Sequence, residues 1–119
     1  MPAKILVVDD ESIIRDLLYE FLTSQGYMVL LASSAEEAWK FLSDPEIKLA
    51  LVDLKLPGSD GLELIQSIKK FKPSLPCLLM TAYPDQESLV RARKSGVSAY
   101  ITKPFQLDQL LSLIQKALK

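Results

Sequence analysis

Five short apolar runs alternate along the chain with stretches in which apolar residues recur every three or four positions. Ile5-Leu6-Val7-Val8 is apolar throughout, the pattern of a strand covered on both faces. Ile13, Ile14, Leu17, Leu18, Phe21 and Leu22 then form one helical stripe. Glu11, Arg15, Asp16 and Glu20 lie mostly away from it, and Gly26 is placed to end the helix. A second strand runs from Met28 to Leu31. Ser34-Ala35-Glu36-Glu37 has capping-box spacing and opens a helix carrying Ala38, Trp39, Phe41 and Leu42. The third strand, through Leu49-Ala50-Leu51-Val52, ends at Asp53. Asp60-Gly61-Leu62-Glu63 repeats the capping logic and starts a helix whose apolar face uses Leu62, Leu64, Ile65, Ile68 and Phe71. Cys77-Leu78-Leu79-Met80 predicts a fourth strand ending at Thr81, followed by a helix from about Gln86 to Ser95 that stops at Gly96. A fifth strand falls within Val97 to Thr102. The last helix begins near Leu107, with Leu107, Leu110, Leu111, Ile114, Ala117 and Leu118 inward and Leu113 at one edge of the stripe, as core margin or as a docking contact.

Strands alternating with helices predict an α/β fold with right-handed crossovers. Five units fit an open doubly wound parallel sheet and are too few for an eightfold barrel. The 119 residues suit one domain, 1–119. Ligands of such sheets bind beyond the carboxyl ends of the strands, where strand order reverses. Asp9-Asp10, Asp53, Thr81 and Lys103 all occupy such ends.

That set points to magnesium-assisted phosphoryl chemistry. Neighbouring carboxylates repel, and a divalent cation relieves the repulsion. Oxygen donors without histidine or cysteine select magnesium or a similar hard ion. Taken singly, Asp9-Asp10 reads equally well as a helix cap, and Thr81 as an ordinary β-branched strand residue. Lys103-Pro104 is a candidate cis bond that would turn Lys103 toward the pocket.

Composition narrows the chemistry. The chain has no histidine, so histidine catalysis and histidine metal ligation are excluded. Its 14 basic and 15 acidic residues do not favour nucleic acid or an anionic membrane as the main partner. The one cysteine, Cys77, lies in an apolar run and is expected to be inert. No apolar stretch approaches the roughly 20 residues of a membrane span. Met1-Pro2-Ala3-Lys4 shows no signal-peptide pattern, so a cytoplasmic protein is expected.

Val7-Val8-Asp9-Asp10-Glu11, Leu51-Val52-Asp53-Leu54-Lys55-Leu56-Pro57, Gly61, Met80-Thr81-Ala82 and Ala99-Tyr100-Ile101-Thr102-Lys103-Pro104-Phe105 together resemble the receiver domain of two-component response regulators, chemotaxis receivers included. The resemblance covers essentially the whole chain. It implies a flavodoxin-like (βα)5 fold with strand order 2-1-3-4-5. It implies Asp53 as phosphoacceptor, with Mg2+ held by Asp9, Asp10, Asp53 and the main-chain carbonyl of Lys55. Thr81 and Lys103 would grip the phosphoryl oxygens, and Thr81 and Tyr100 would form the switch. The implied donor is a phosphohistidine of a sensor histidine kinase or phosphotransfer protein. An output domain or downstream protein would read the face of helix 4, strand 5 and helix 5. On this reading the chain is no enzyme beyond its own phosphorylation and slow dephosphorylation.

The resemblance also implies that Lys55 and Tyr83 would flank the entrance for attacking water, and they are expected to slow loss of the phosphoryl group. Gly96-Val97-Ser98-Ala99 lacks the acidic residues of dimer-forming receivers attached to winged-helix domains, which argues against that dimer. A haloacid-dehalogenase phosphatase would want a second acid where Lys55 stands. A flavodoxin-like cofactor binder would want a glycine- and hydroxyl-rich loop in place of Asp9-Asp10-Glu11. A pseudo-receiver would not need the full acidic set.

Overall fold

The structure is a computed structural model and describes residues 2–82 and 85–119. In chain order the elements are β1 (Lys4–Val8), α1 (Ser12–Ser24), β2 (Met28–Ala32), α2 (Ala35–Phe41), β3 (Ile47–Asp53), β4 (Lys55–Leu56), β5 (Ser59–Asp60), α3 (Gly61–Phe71), β6 (Cys77–Thr81), α4 (Gln86–Lys94), β7 (Ala99–Thr102) and α5 (Leu107–Ala117). One five-stranded parallel sheet has the order β2-β1-β3-β6-β7. This is the expected 2-1-3-4-5 arrangement of the five long strands. The chain reverses its winding between β1 and β3, so the carboxyl ends of those strands border a crevice.

The inner strands are apolar along their length because both faces are covered. Ile5, Val7, Leu49, Leu51, Leu78, Met80 and Ile101 pack with Leu18 and Leu22 of α1 and Leu110 and Ile114 of α5. Leu6, Val8, Ala50, Val52 and Leu79 pack on the opposite face with α2, α3 and Ala92 of α4. Cys77 belongs to that second core, and burial pushes its thiol up to about 11, consistent with an inert side chain.

The capping signals are realised. Ser34 Oγ accepts from the Glu37 amide at 3.1 Å, and Glu37 reaches back to the Ser33 amide at 2.6 Å. Asp60 Oδ1 accepts from Leu62 N at 2.8 Å at the start of α3. Two features depart from the pattern. A short antiparallel ladder, β4–β5, turns at Gly58 with φ of 65° between β3 and α3. The inward stripes are also narrower than the periodicity implies. Ile13 is 79% exposed, and Leu17, Trp39, Phe71 and Val90 also reach solvent. A helix lying on a sheet buries the line through Ile14, Leu18 and Leu22, whereas Ile13 and Leu17 follow a line about 100° round the axis. Trp39 and Phe71 meet edge to face across α2 and α3, with ring centroids 5.9 Å apart. That contact shields part of each ring without burying either in the core. Leu113 packs at the margin of the α1–α5 core.

Candidate functional site

Each site residue is placed by a strand end. β1 delivers Asp9 and Asp10, β3 delivers Asp53, β6 delivers Thr81, and the turn after β7 delivers Lys103. Asp10, Glu11, Asp53, Leu54, Lys55, Thr81, Ala82 and Lys103 line one cavity of about 220 Å³. Carboxylate oxygens of Asp9, Asp10 and Asp53 all lie within 4.8 Å of one another. Lys103 Nζ donates to Asp9 Oδ2 at 2.7 Å and to Glu11 Oε1 at 3.2 Å, and stands 3.3 Å from Asp53 Oδ1. The Lys103–Pro104 peptide bond is cis. Asp9 does double duty, because its Oδ1 also accepts from Glu11 N at 2.9 Å in the turn that opens α1. A local turn bond and pocket chemistry therefore share one side chain, while α1 itself starts at Glu11 without a side-chain cap, so Asp9 and Asp10 are not its caps.

The electrostatics are those of an acid cluster short of positive charge. Asp53 is pushed up to about 6, first by burial and then by the charge of Asp9, against the pull of Lys103. Burial opposes the charge of Lys103, but its hydrogen bond to Asp9 and the charges of Asp9 and Asp53 outweigh that and hold the ammonium above its ordinary value. One cation thus serves several carboxylates. Three oxygen-donor side chains this close, in a chain with no histidine, fit a hard divalent ion.

Thr81 is fully buried at the end of β6. Tyr100 pairs with Leu79, and Thr81 pairs with Thr102, so the threonine and tyrosine side chains share one sheet face a single pleat repeat apart. The tyrosine ring packs against the core beneath α3 and α4, and its buried hydroxyl meets no hydrogen-bond partner among the described residues. Lys55 is exposed at the cavity rim, while Tyr83, expected to stand beside it, lies outside the described residues.

The response regulator receiver domain model matches residues 5–115. This chain belongs to that family. The receiver is 35% identical over 119 residues to the DNA-binding transcriptional regulator NtrC of Bradyrhizobium sp. (strain RP501 Parasponia), covering 99% of this chain and 25% of that protein. It is 37% identical over 116 residues to the two-component response regulator PhoP of Pseudomonas aeruginosa, covering 98% of this chain and 52% of that one. A CheY-like receiver domain protein from Methanospirillum hungatei JF-1 superposes with a TM-score of 0.95 at 34% identity, covering 99% and 94% of the two chains. The receiver therefore spans a quarter to a half of the regulators it matches and nearly all of a CheY-like protein. As a receiver domain it is a signalling unit of two-component response regulators.

Two parts of the receiver site escaped the strand-end reasoning. Glu11 shares Lys103 with the aspartates, and Arg15 Nη1 donates to the main-chain oxygen of Asp9 at 2.8 Å. Arg15 reads in the sequence as a polar helix position, and only the turn from β1 into α1 brings its long side chain over Asp9. Gly61 also supports the site. A Cβ there would stand 2.0 Å from the Asp53 carbonyl oxygen, so only glycine lets α3 begin against the backbone of the acidic strand end.

Proposed function

We propose that this receiver domain takes a phosphoryl group onto Asp53 from a phosphohistidine on a sensor histidine kinase or phosphotransfer protein. The observation carrying this reading is the convergence of three carboxylates, a half-buried lysine and a buried threonine on one small cavity. An Asp53 oxygen attacks phosphorus, the phosphorus–nitrogen bond of the donor breaks, and the imidazole nitrogen keeps its electron pair. Such transfer depends mainly on alignment and charge neutralisation. Lys103 neutralises phosphoryl oxygens, and Thr81 donates its hydroxyl to them. Asp9, Asp10, Asp53 and the Lys55 main-chain carbonyl would hold Mg2+, which when bound supplies positive charge to the phosphoryl group.

The added group carries roughly −1.5 to −2 charge, by analogy with other phosphorylated side chains. Drawing Thr81 toward that charge alters the packing beside Tyr100 and so the face of α4, β7 and α5, which an output domain or downstream protein reads. Residues 1–119 act as one receiver unit whose only catalysis is its own phosphorylation and slow dephosphorylation. Where such a unit is joined to a DNA-binding segment, that segment makes the nucleic-acid contact. Among the described residues no helix is long and apolar enough to cross a membrane; a cytoplasmic place for this domain belongs to the same proposal.

Beryllium trifluoride, a phosphoryl-shaped anion, tests the reading. With Mg2+ present it is expected to shift the amide resonances of Asp53, Thr81 and Lys103 saturably in the wild type and not in Asp53→Ala. Equal shifts in both proteins would overturn the assignment.

A further inference from the structure

We propose that Arg15 is a positioning residue for the carboxylate basin, acting through the peptide that joins Asp9 to Asp10; this rests on the phosphoacceptor reading above. Every polar atom of Asp9 is committed. Its amide donates to Ala32 O at 3.0 Å, Oδ1 accepts from Glu11 N, Oδ2 accepts from Lys103, and its main-chain oxygen accepts from Arg15 Nη1 at 2.8 Å. The last bond bears on Asp10. The Asp9 carbonyl and the Asp10 amide share one rigid plane. Rotation of that plane changes ψ of Asp9 and φ of Asp10 together, and so redirects the Asp10 side chain.

Asp10 needs such a hold. It is exposed, yet its carboxylate lies within the 4.8 Å cluster with buried Asp9 and Asp53. Without a cation there, repulsion from its neighbours favours turning it toward water. Arg15 opposes this through the backbone from a half-buried seat on α1, where its own amide is already fixed to Glu11 O at 3.1 Å. Its guanidinium also contributes positive field at Glu37, whose carboxylate accepts from the Ser33 amide and hydroxyl at the start of α2. Arg15 thus stands where the turn after β1 meets the turn after β2.

Two roles for Arg15 predict opposite signs. As a bare positive charge near three carboxylates it would compete with a metal ion, so removing it would tighten Mg2+ binding. As a positioning group, removing it loosens Asp10 and weakens Mg2+. The experiment is a Mg2+ titration of the metal-free protein followed by amide resonances, with thermal unfolding recorded alongside. Arg15→Met is expected to weaken Mg2+ about 10-fold, the scale of losing a group that orients a metal ligand. Arg15→Lys keeps the charge and an N–H donor and is expected to stay within about threefold of wild type. Should the methionine variant not fold, Arg15→Gln makes the same comparison with a polar head retained. Binding by Arg15→Met as tight as wild type or tighter overturns the proposal, as does a lowered Tm with unchanged Mg2+ affinity. A wild type with no saturable Mg2+ response would instead overturn the basin itself.

Discussion

At neutral pH the Asp53 carboxylate is charged against the preference of its surroundings. Burial comes first among the causes, then Asp9 and Asp10, while Lys103 works the other way. The folded state holds this proton more tightly than the unfolded chain, with a folded value of about 6 against 3.8. Stability in metal-free buffer therefore falls as pH rises from about 4 to about 6. The shift is worth about 2–3 kcal/mol once both states are ionised. Asp53→Asn is accordingly expected to be more stable than wild type by about 2 kcal/mol at pH 7.5 in EDTA, and equal to it near pH 4. Urea unfolding at the two pH values checks this, and a difference independent of pH would refute it. Gly61 carries the opposite expectation. Its Cβ would meet the Asp53 carbonyl oxygen at 2.0 Å and the carbonyl carbon at 2.9 Å, both main-chain atoms that cannot swing aside. Gly61→Ala should cost about 2–3 kcal/mol in unfolding experiments despite alanine's better helix propensity, and a neutral result would mean that α3 can slide away freely.

Among the helices, α4 is held differently from α1. Fully buried Leu18 and Leu22 anchor α1, whereas the buried residues of α4 are Ser88 and Ala92. Polar ties to the α3 side make up part of the difference. Arg91 pairs with Asp60, the cap of α3, and Gln66 Nε2 donates to Ser95 Oγ at 3.0 Å. An ion pair this exposed contributes at most about 1 kcal/mol and weakens in salt. Amides of residues 86–94 should exchange faster than those of α1, and Arg91→Gln should speed them by up to roughly fivefold at low salt. Protection of α4 equal to that of α1 would contradict a loosely held α4. The contrast also marks what the sequence displays. Strands β1, β3 and β6 were legible because burial on both faces leaves unbroken apolar runs, and their polar ends exposed the site. Caps at Ser34 and Asp60 were legible because they act within a few residues. The Arg91–Asp60 tie joins positions 31 apart, and the Arg15–Asp9 bond depends on the path of a turn. Neither leaves a periodic trace. Ile13, Leu17, Trp39 and Phe71 look like core because hydrophobicity alone does not tell how wide a stripe the sheet covers.

Over the whole molecule, the reversal of strand order between β1 and β3 is what the proposed phosphoryl chemistry depends on. It sets Asp9 and Asp10 beside Asp53, while Thr81 and Lys103 follow on the next strands of the same edge. The same sheet carries Tyr100 on β7 from the site toward α4, so the proposed acceptor and the proposed output face are parts of one packed layer. Incubation with acetyl phosphate and Mg2+, followed by intact mass, tests this most directly. Wild type should gain the mass of one phosphoryl group and lose the gain in EDTA, while Asp53→Ala should gain nothing. A phosphoryl adduct of equal size on Asp53→Ala, or none on folded wild type with Mg2+ present, would contradict the account.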